Sequence, residues 1–160
     1  MKILVFSDSH GNTRRMISAI ADHGKGVSML IHLGDGVRDI EYVSSLYPEI
    51  PLVSIKGNGE TFSRDSQILD IEGLRIMCIH GHTYGVKMDL ERAAMCAVDN
   101  DVDLLLYGHT HTPDDTVFTS PDGRKVRLFN PGSIGKGYPP SYGLINIPRQ
   151  ASYLTSHAYL

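Results

Sequence analysis

Two cysteines in 160 residues, Cys78 and Cys96, stand 18 positions apart with no other cysteine beside either. That excludes a Cys-x-x-Cys metal knuckle and a disulfide framework, and both are read as reduced core thiols. Long apolar runs are missing too. Met1 to Phe6 is too short for the core of a signal peptide, and nothing approaches the ~20 residues that span a bilayer, so the expectation is a cytoplasmic chain with no membrane role. No charge of one sign dominates: 15 Lys and Arg face 18 Asp and Glu, for a net charge of -3 and a pI near 6.2. Without a basic run, no nucleic acid partner is expected. The chain has no internal repeat, low-complexity tract or linker, and 160 residues read as one domain over 1–160. A TIM barrel, at ~250 residues, is too large.

What remains is an ordinary globular composition, 41% hydrophobic and 21% charged. Lys2 to Phe6 is a β-branched and aliphatic run that stops at Ser7-Asp8-Ser9-His10-Gly11-Asn12, a buried strand followed by a turn. Asn12 or Thr13 can cap the next helix, Met16, Ile17, Ile20 and Ala21 form its apolar stripe, and Gly24 stops it. Val27 to Leu33 repeats the strand and ends at Gly34-Asp35-Gly36. Val37, Ile40, Val43 and Leu46 recur at helical spacing before Pro48, and Leu52 to Ile55 ends at Gly57-Asn58-Gly59-Glu60. Strands alternating with helices predict a parallel sheet with right-handed crossovers. Ile68 to Ile71 and Leu74 to Ile79 flank Glu72-Gly73 as a hairpin that runs into His80-Gly81-His82. A helix from about Met88 to Val98 and a strand from Leu104 to Tyr107, ending at Gly108-His109-Thr110-His111, follow. Thr116 to Thr119, Lys125 to Phe129 and Tyr142 to Ile147 are antiparallel in style. Gly135 to Ser141 reads as a surface loop and a candidate wall of the site, and nothing functional is read after Pro148.

The chain carries eight histidines, four of them in two His-x-His pairs. Asp8 with His10, Asp35, Asn58, His80, and His109 with His111 all fall within about three residues of a predicted strand end. Loops beyond the carboxyl ends of parallel strands lie side by side and form the usual ligand crevice. Alone, Asp8 and Asp35 would read as turn residues or caps, Asn58 as a left-handed turn and His80 as a satisfied polar group. Seven such coincidences at one rim favour ligands instead. Mixed oxygen and imidazole donors suit manganese, iron or zinc, whereas calcium takes oxygens only. Seven groups exceed the needs of one four-coordinate ion and match two ions sharing a carboxylate. His32 most simply packs or hydrogen-bonds locally, and His23 and His157 read as exposed residues without partners. For His82 two readings stay open, facing the substrate or supporting a ligand.

Asp8-Ser9-His10, Gly34-Asp35, Gly57-Asn58, His80-Gly81 and Gly108-His109-Thr110-His111, in that order, resemble the calcineurin-like metallophosphoesterase signature. The resemblance runs from Met1 to about Ser133, its length is similar to the small bacterial and archaeal phosphodiesterase subfamily, and Asn130-Pro131-Gly132-Ser133 is similar to a further motif of that subfamily. It implies an α/β fold, a four-layer αββα sandwich of two mixed β-sheets flanked by helices. It also implies that Asp8, His10 and His111 hold one divalent metal ion and Asn58, His80 and His109 a second, with Asp35 bridging. Manganese comes first, with iron, zinc or nickel as alternatives. Two cations roughly 3.5 to 4 Å apart lower the pKa of a shared water toward ~7, so that hydroxide can attack phosphorus in line. The implied activity is phosphodiester hydrolysis of a small phosphoester substrate, with Asp35 central to catalysis and a homodimer or homotetramer as assembly.

The sequence departs from many members after Asn58, where a proton-donating His often sits and this chain has Gly59. Such help is worth ~10² to 10⁴ in rate, so the expectation is a substrate whose alcohol leaves easily, or His82 as substitute acid. A phosphomonoesterase and a non-catalytic protein-binding scaffold, as in the retromer subunit of this fold, are the alternatives. Amide hydrolysis on a His-x-His barrel conflicts with the chain length.

Overall fold

Every residue of Ile3-Leu4-Val5-Phe6 is fully buried, and neighbours on a strand point to opposite faces, so the strand needs cover on both sides. Ile3 and Val5 join an apolar cluster with Ile31, Leu33, Ile76, Leu104, Leu106 and Phe129, between two stacked sheets. Leu4 and Phe6 turn the other way, onto Met16, Ala19, Ile20, Ile40 and Val43 of two helices. This computed structural model describes residues 1–148 and 152–160.

The first sheet runs in the order β10-β9-β1-β2-β3 and the second β4-β5-β6-β8-β7. In chain order the strands are β1 (Lys2–Phe6), β2 (Met29–His32), β3 (Leu52–Ser54), β4 (Ser66–Ile71), β5 (Leu74–Ile79), β6 (Leu104–Leu106), β7 (Pro113–Thr119), β8 (Lys125–Pro131), β9 (Ser141–Asn146) and β10 (Leu154–Tyr159). Helices α1 (Thr13–His23) and α2 (Val37–Ser45) cover the outer face of the first sheet, and α3 (Glu91–Asp99) covers the second through Ala93, Ala94, Ala97 and Val98. The result is the expected four-layer αββα sandwich. As the alternation predicts, β1, β2 and β3 pair in parallel. The second sheet is mixed, with β5, β6 and β8 parallel and its two edge strands antiparallel. No helix among the described residues is long and apolar enough to cross a membrane.

Several details differ from the sequence reading. Asn12 occupies the N-cap position of α1, but neither it nor Thr13 forms a side-chain cap. The third helix starts at Glu91 rather than Met88, after a short 3₁₀ turn at His82–Tyr84. Strand β7 begins at Pro113, not Thr116; an edge strand tolerates the missing N–H of proline at its first position. Strand β10 carries little sequence signal because it is a polar edge strand, paired only to β9. Cys78 lies in the inter-sheet core as expected, whereas Cys96 is only half-buried on α3; neither is bonded. His23 and His157 do have partners: His23 meets the Tyr142 hydroxyl at 3.0 Å, and His157 Nε2 lies 2.7 Å from the Asn130 carbonyl with its ring stacked on Phe129.

Candidate metal centre

The strand-end loops of both sheets share one rim. The Asp8 N–H donates to the Gly34 carbonyl at 2.9 Å within the first sheet. Between the sheets, the His109 N–H donates to Asp8 Oδ2 at 3.1 Å and His80 Nδ1 meets the Leu33 carbonyl at 2.7 Å. Strands β1, β2 and β3 bring Asp8, His10, Asp35 and Asn58, while β5 and β6 bring the four histidines of the two pairs.

Backbone conformation marks the same residues. Asp8, His10, Asp35, His109 and His111 have φ of 53°, 45°, 54°, 68° and 61°, a left-handed region uncommon for residues with a Cβ. Among the other described non-glycine residues only Glu72 and Asp101 share it. Such strain costs on the order of 1–3 kcal/mol per residue and persists where the surroundings hold it. Asn58, read in isolation as a left-handed turn residue, does not adopt that conformation.

The side chains converge with their lone pairs inward. His111 Nε2 lies 3.1 Å from Asp8 Oδ1 and 3.4 Å from His10 Nε2. His80 Nε2 lies 3.1 Å from His109 Nδ1. Asp35 stands between the two groups, Oδ2 3.9 Å from His10 Nε2 and Oδ1 3.8 Å from His80 Nε2. Candidate ligand atoms of Asp8, His10 and His111, and those of Asp8, Asp35 and His80, lie within 4.8 Å of one another. These donors fit a divalent transition ion, because imidazole nitrogens turned toward one another need a cation between them. His80 is fully oriented: its Nδ1–H donates to the Leu33 carbonyl, which leaves Nε2 as the free acceptor. Burial, then the charge of Lys136, holds His10 below the ordinary imidazole range, and burial, then His80, does the same for His109. Both shifts favour the neutral imidazole, the form that can coordinate.

Residues that sequence reasoning did not single out for a site role hold these donors. Ser7 Oγ donates to Asp8 Oδ2 at 2.5 Å, turning Oδ1 toward His111. Asp39, on the first turn of α2, accepts from Ser9 Oγ and the Gly11 N–H, both at 2.7 Å, and so grips the His10 loop. The Asn130-Pro131-Gly132-Ser133 motif braces two loops at once: Asn130 Nδ2 donates to the Gly108 carbonyl at 3.1 Å, and Ser133 Oγ donates to the Asp8 carbonyl at 2.8 Å. Glu60 accepts four backbone N–H groups, from Asp35, Gly36, Val37 and Gly57. Its role has little local sequence signal, because three of its four donors lie on backbone that the fold brings in.

A cleft of about 660 Å3 opens beside the centre, lined among others by His10, Asp35, Arg38, Asn58, Gly59 and Phe62. A smaller cavity touches His111, Tyr138 and Pro139, which makes the Gly135–Ser141 loop a wall on that side. His82 does not line the cleft; its ring centroid is 5.3 Å from that of His80 and 6.2 Å from that of His109. Its Nδ1 is buried without a hydrogen-bond partner, and burial, then His80, lowers its pKa.

A two-sheet sandwich with acid and imidazole donors at the shared rim defines the class of this protein, and the family comparison agrees. The chain belongs to the calcineurin-like phosphoesterase superfamily, whose domain model matches residues 1–149. A probable metallophosphoesterase of Methanocaldococcus jannaschii is 35% identical over 136 residues, covering 83% of this chain and 68% of the relative. The phosphodiesterase YfcE of Escherichia coli is 27% identical over 176 residues, covering 91% and 88%. Among solved structures, a predicted phosphoesterase from Streptococcus pneumoniae superposes with a TM-score of 0.78 at 20% identity, covering 99% and 88% of the two chains. Vps29 from Entamoeba histolytica, in its complex with zinc, superposes at 0.69 and 20% identity over 99% of each chain. At these identities the two structures show the shared fold alone.

Proposed function

We propose that the chain is a phosphodiesterase that works with two divalent cations, manganese first among them. Asp35 carries this reading, because its two oxygens look at two separate groups of donors at once. Asp8, His10 and His111 would hold one ion and Asn58, His80 and His109 the other, with Asp35 shared. When bound, such ions supply the Lewis acidity that makes water a nucleophile near neutral pH and offsets phosphoryl charge. The protein's own residues supply position: Leu33 aims His80, Ser7 aims Asp8, and Asp39 steadies His10.

The organic part of the ester would lie in the 660 Å3 cleft, against exposed Phe62 and Arg38. A Cβ on Gly59 would meet nothing within 4 Å, so that position leaves room in the cleft and offers no proton. His82, beside His80 and His109 and outside the cleft, is the proposed proton donor, with the leaving group departing on that side and the retained organic group in the cleft. The free cysteines, with burial pushing the Cys78 thiol up to about 12, agree with a reducing, cytoplasmic setting.

The Vps29 likeness supports a second reading, a scaffold. The zinc complex of that protein means that metal uptake alone does not separate the two; turnover does. Metal-stripped protein reloaded with manganese should cleave bis-p-nitrophenyl phosphate faster than p-nitrophenyl phosphate. The reverse order would make it a monoesterase, and no turnover with manganese, iron, zinc or nickel would favour the scaffold. Asp35→Asn should lower both metal content and rate, the rate by roughly 10²-fold or more. In His82→Ala, the rate should depend more steeply on leaving-group pKa; an unchanged slope removes His82 from the reaction.

A further inference from the structure

We infer that Glu60 is a positioning residue that holds the Asp35 and Asn58 loops at the separation the second cation needs, without itself being a ligand. The inference rests on the two-metal reading and adds to it the device that sets the second half of the site.

Glu60 is an acid in the cleft, two positions from Asn58, and at first sight a ligand candidate. Its hydrogen bonds say otherwise. Oε1 accepts from the N–H of Gly36 at 2.8 Å and of Val37 at 2.7 Å; Oε2 accepts from Asp35 at 3.1 Å and Gly57 at 2.7 Å. Two bonds per oxygen use about all the acceptor capacity of a carboxylate, leaving little to offer a cation. Charge-assisted bonds of this kind are roughly twice as strong as neutral ones.

The four donors belong to two segments. Asp35, Gly36 and Val37 form the turn into α2, whose N-cap is Gly36, with no side chain to cap the helix. Gly57 belongs to the loop after β3. A single carboxylate therefore caps α2 from another element and pins that turn to the Asn58 loop. It also fixes the backbone of Asp35 in its left-handed conformation, by holding its N–H. The two loops touch: a Cβ on Gly34 would stand 2.6 Å from the Gly57 nitrogen, and one on Gly57 would overlap the Asp35 carboxylate. Glu60 clamps this contact with a negative charge placed where four backbone dipoles point.

The opposite half, Asp8, His10 and His111, is braced by other groups, Ser7, Asp39 and Ser133. Loss of Glu60 should therefore be felt most on the Asn58 side of the centre, and less on the other side, through the shared Asp35. Glu60→Gln keeps the size of the side chain but turns an amide N–H₂ toward backbone donors. The experiment is manganese titration of the metal-free full chain by calorimetry, with bound metal counted by elemental analysis and the fold checked by circular dichroism and melting of the metal-free protein.

Wild type should take up two ions. Glu60→Gln should bind the second about 10- to 100-fold more weakly, with the first weakened less, through the shared Asp35. Its diester turnover should then be recovered by raising manganese. Glu60→Asp, which keeps the charge but is one methylene short of both segments, should show the same uneven loss, greater for the second ion, to a smaller degree. It remains informative where the glutamine variant fails to fold. Two ions bound with unchanged affinities, or both weakened equally in either folded variant, would overturn the assignment. Uptake of one ion by the wild type would overturn the two-metal reading, and this inference with it.

Discussion

His32 shows how much one side chain can contribute without touching a substrate. It is fully buried; the Gly34 N–H donates to its Nδ1 at 3.2 Å, so the ring proton sits on Nε2, 3.2 Å from Ser9 Oγ, which in turn donates to Asp39. The expectation of a local, structural role holds, and the role is to support the loop that carries His10. Burial pushes its pKa down to about 4. A histidine kept neutral in the fold but free to protonate when unfolded stabilises the protein fully above its unfolded pKa near 6.5. That stability is lost as pH falls from there through about 4. The loss should reach up to about 3 kcal/mol. Urea unfolding at pH 7, 6, 5 and 4.5 should show this fall, and His32→Gln should flatten it; parallel curves for the two proteins would contradict the argument.

At the level of elements, the rim is a set of sharp strand-to-helix turns packed against one another, and glycines mark where backbone meets backbone. Gly34 has φ 100°, and a Cβ there would also stand 2.8 Å from His80 Nδ1. Gly34→Ala must therefore push apart the β2 and β3 loops and disturb the bond that aims His80. It should cost about 1–3 kcal/mol in denaturant unfolding and reduce manganese uptake. A change below about 0.5 kcal/mol, the range of neutral surface substitutions, would mean that the loops are not in tight contact. The hairpin β7–β8 is tied to β10 in a similar way: Asp115 accepts from Nε and Nη2 of Arg127, at 2.6 and 3.0 Å, and from the Thr155 hydroxyl at 2.7 Å. One carboxylate thus links an edge strand of each sheet, which is how a polar strand such as β10 keeps its place.

Across the whole molecule, three apolar layers hold two sheets and three helices together, and the site exists because the two sheets stack with their strand ends on one side. Leu106 lies on the inner face of β6, fully buried among side chains of both sheets. Leu106→Ala should destabilise the protein by about 2–5 kcal/mol. Met88, 89% exposed, should tolerate the same change within about 0.5 kcal/mol. Equal effects would contradict the assignment of the inter-sheet core as the main source of stability.

Strand and helix order through residue 60, the hairpin of β4 and β5, and the positions of Asp8, His10, Asp35, Asn58, His80, His109 and His111 at strand ends were legible in the chain itself. Alternating apolar residues and sharp Gly-flanked turns are local patterns, and a local pattern needs no partner to be read. What joins those ends was not legible. Glu60 and Asp39 act on backbone N–H groups distant in sequence or presented only by a folded loop. Strand β10 is held by β9 and by the bond from Thr155 to Asp115 rather than by its own hydrophobicity. Backbone hydrogen-bond donors look the same at every residue, so which of them a carboxylate meets is decided only when the chain has closed on itself.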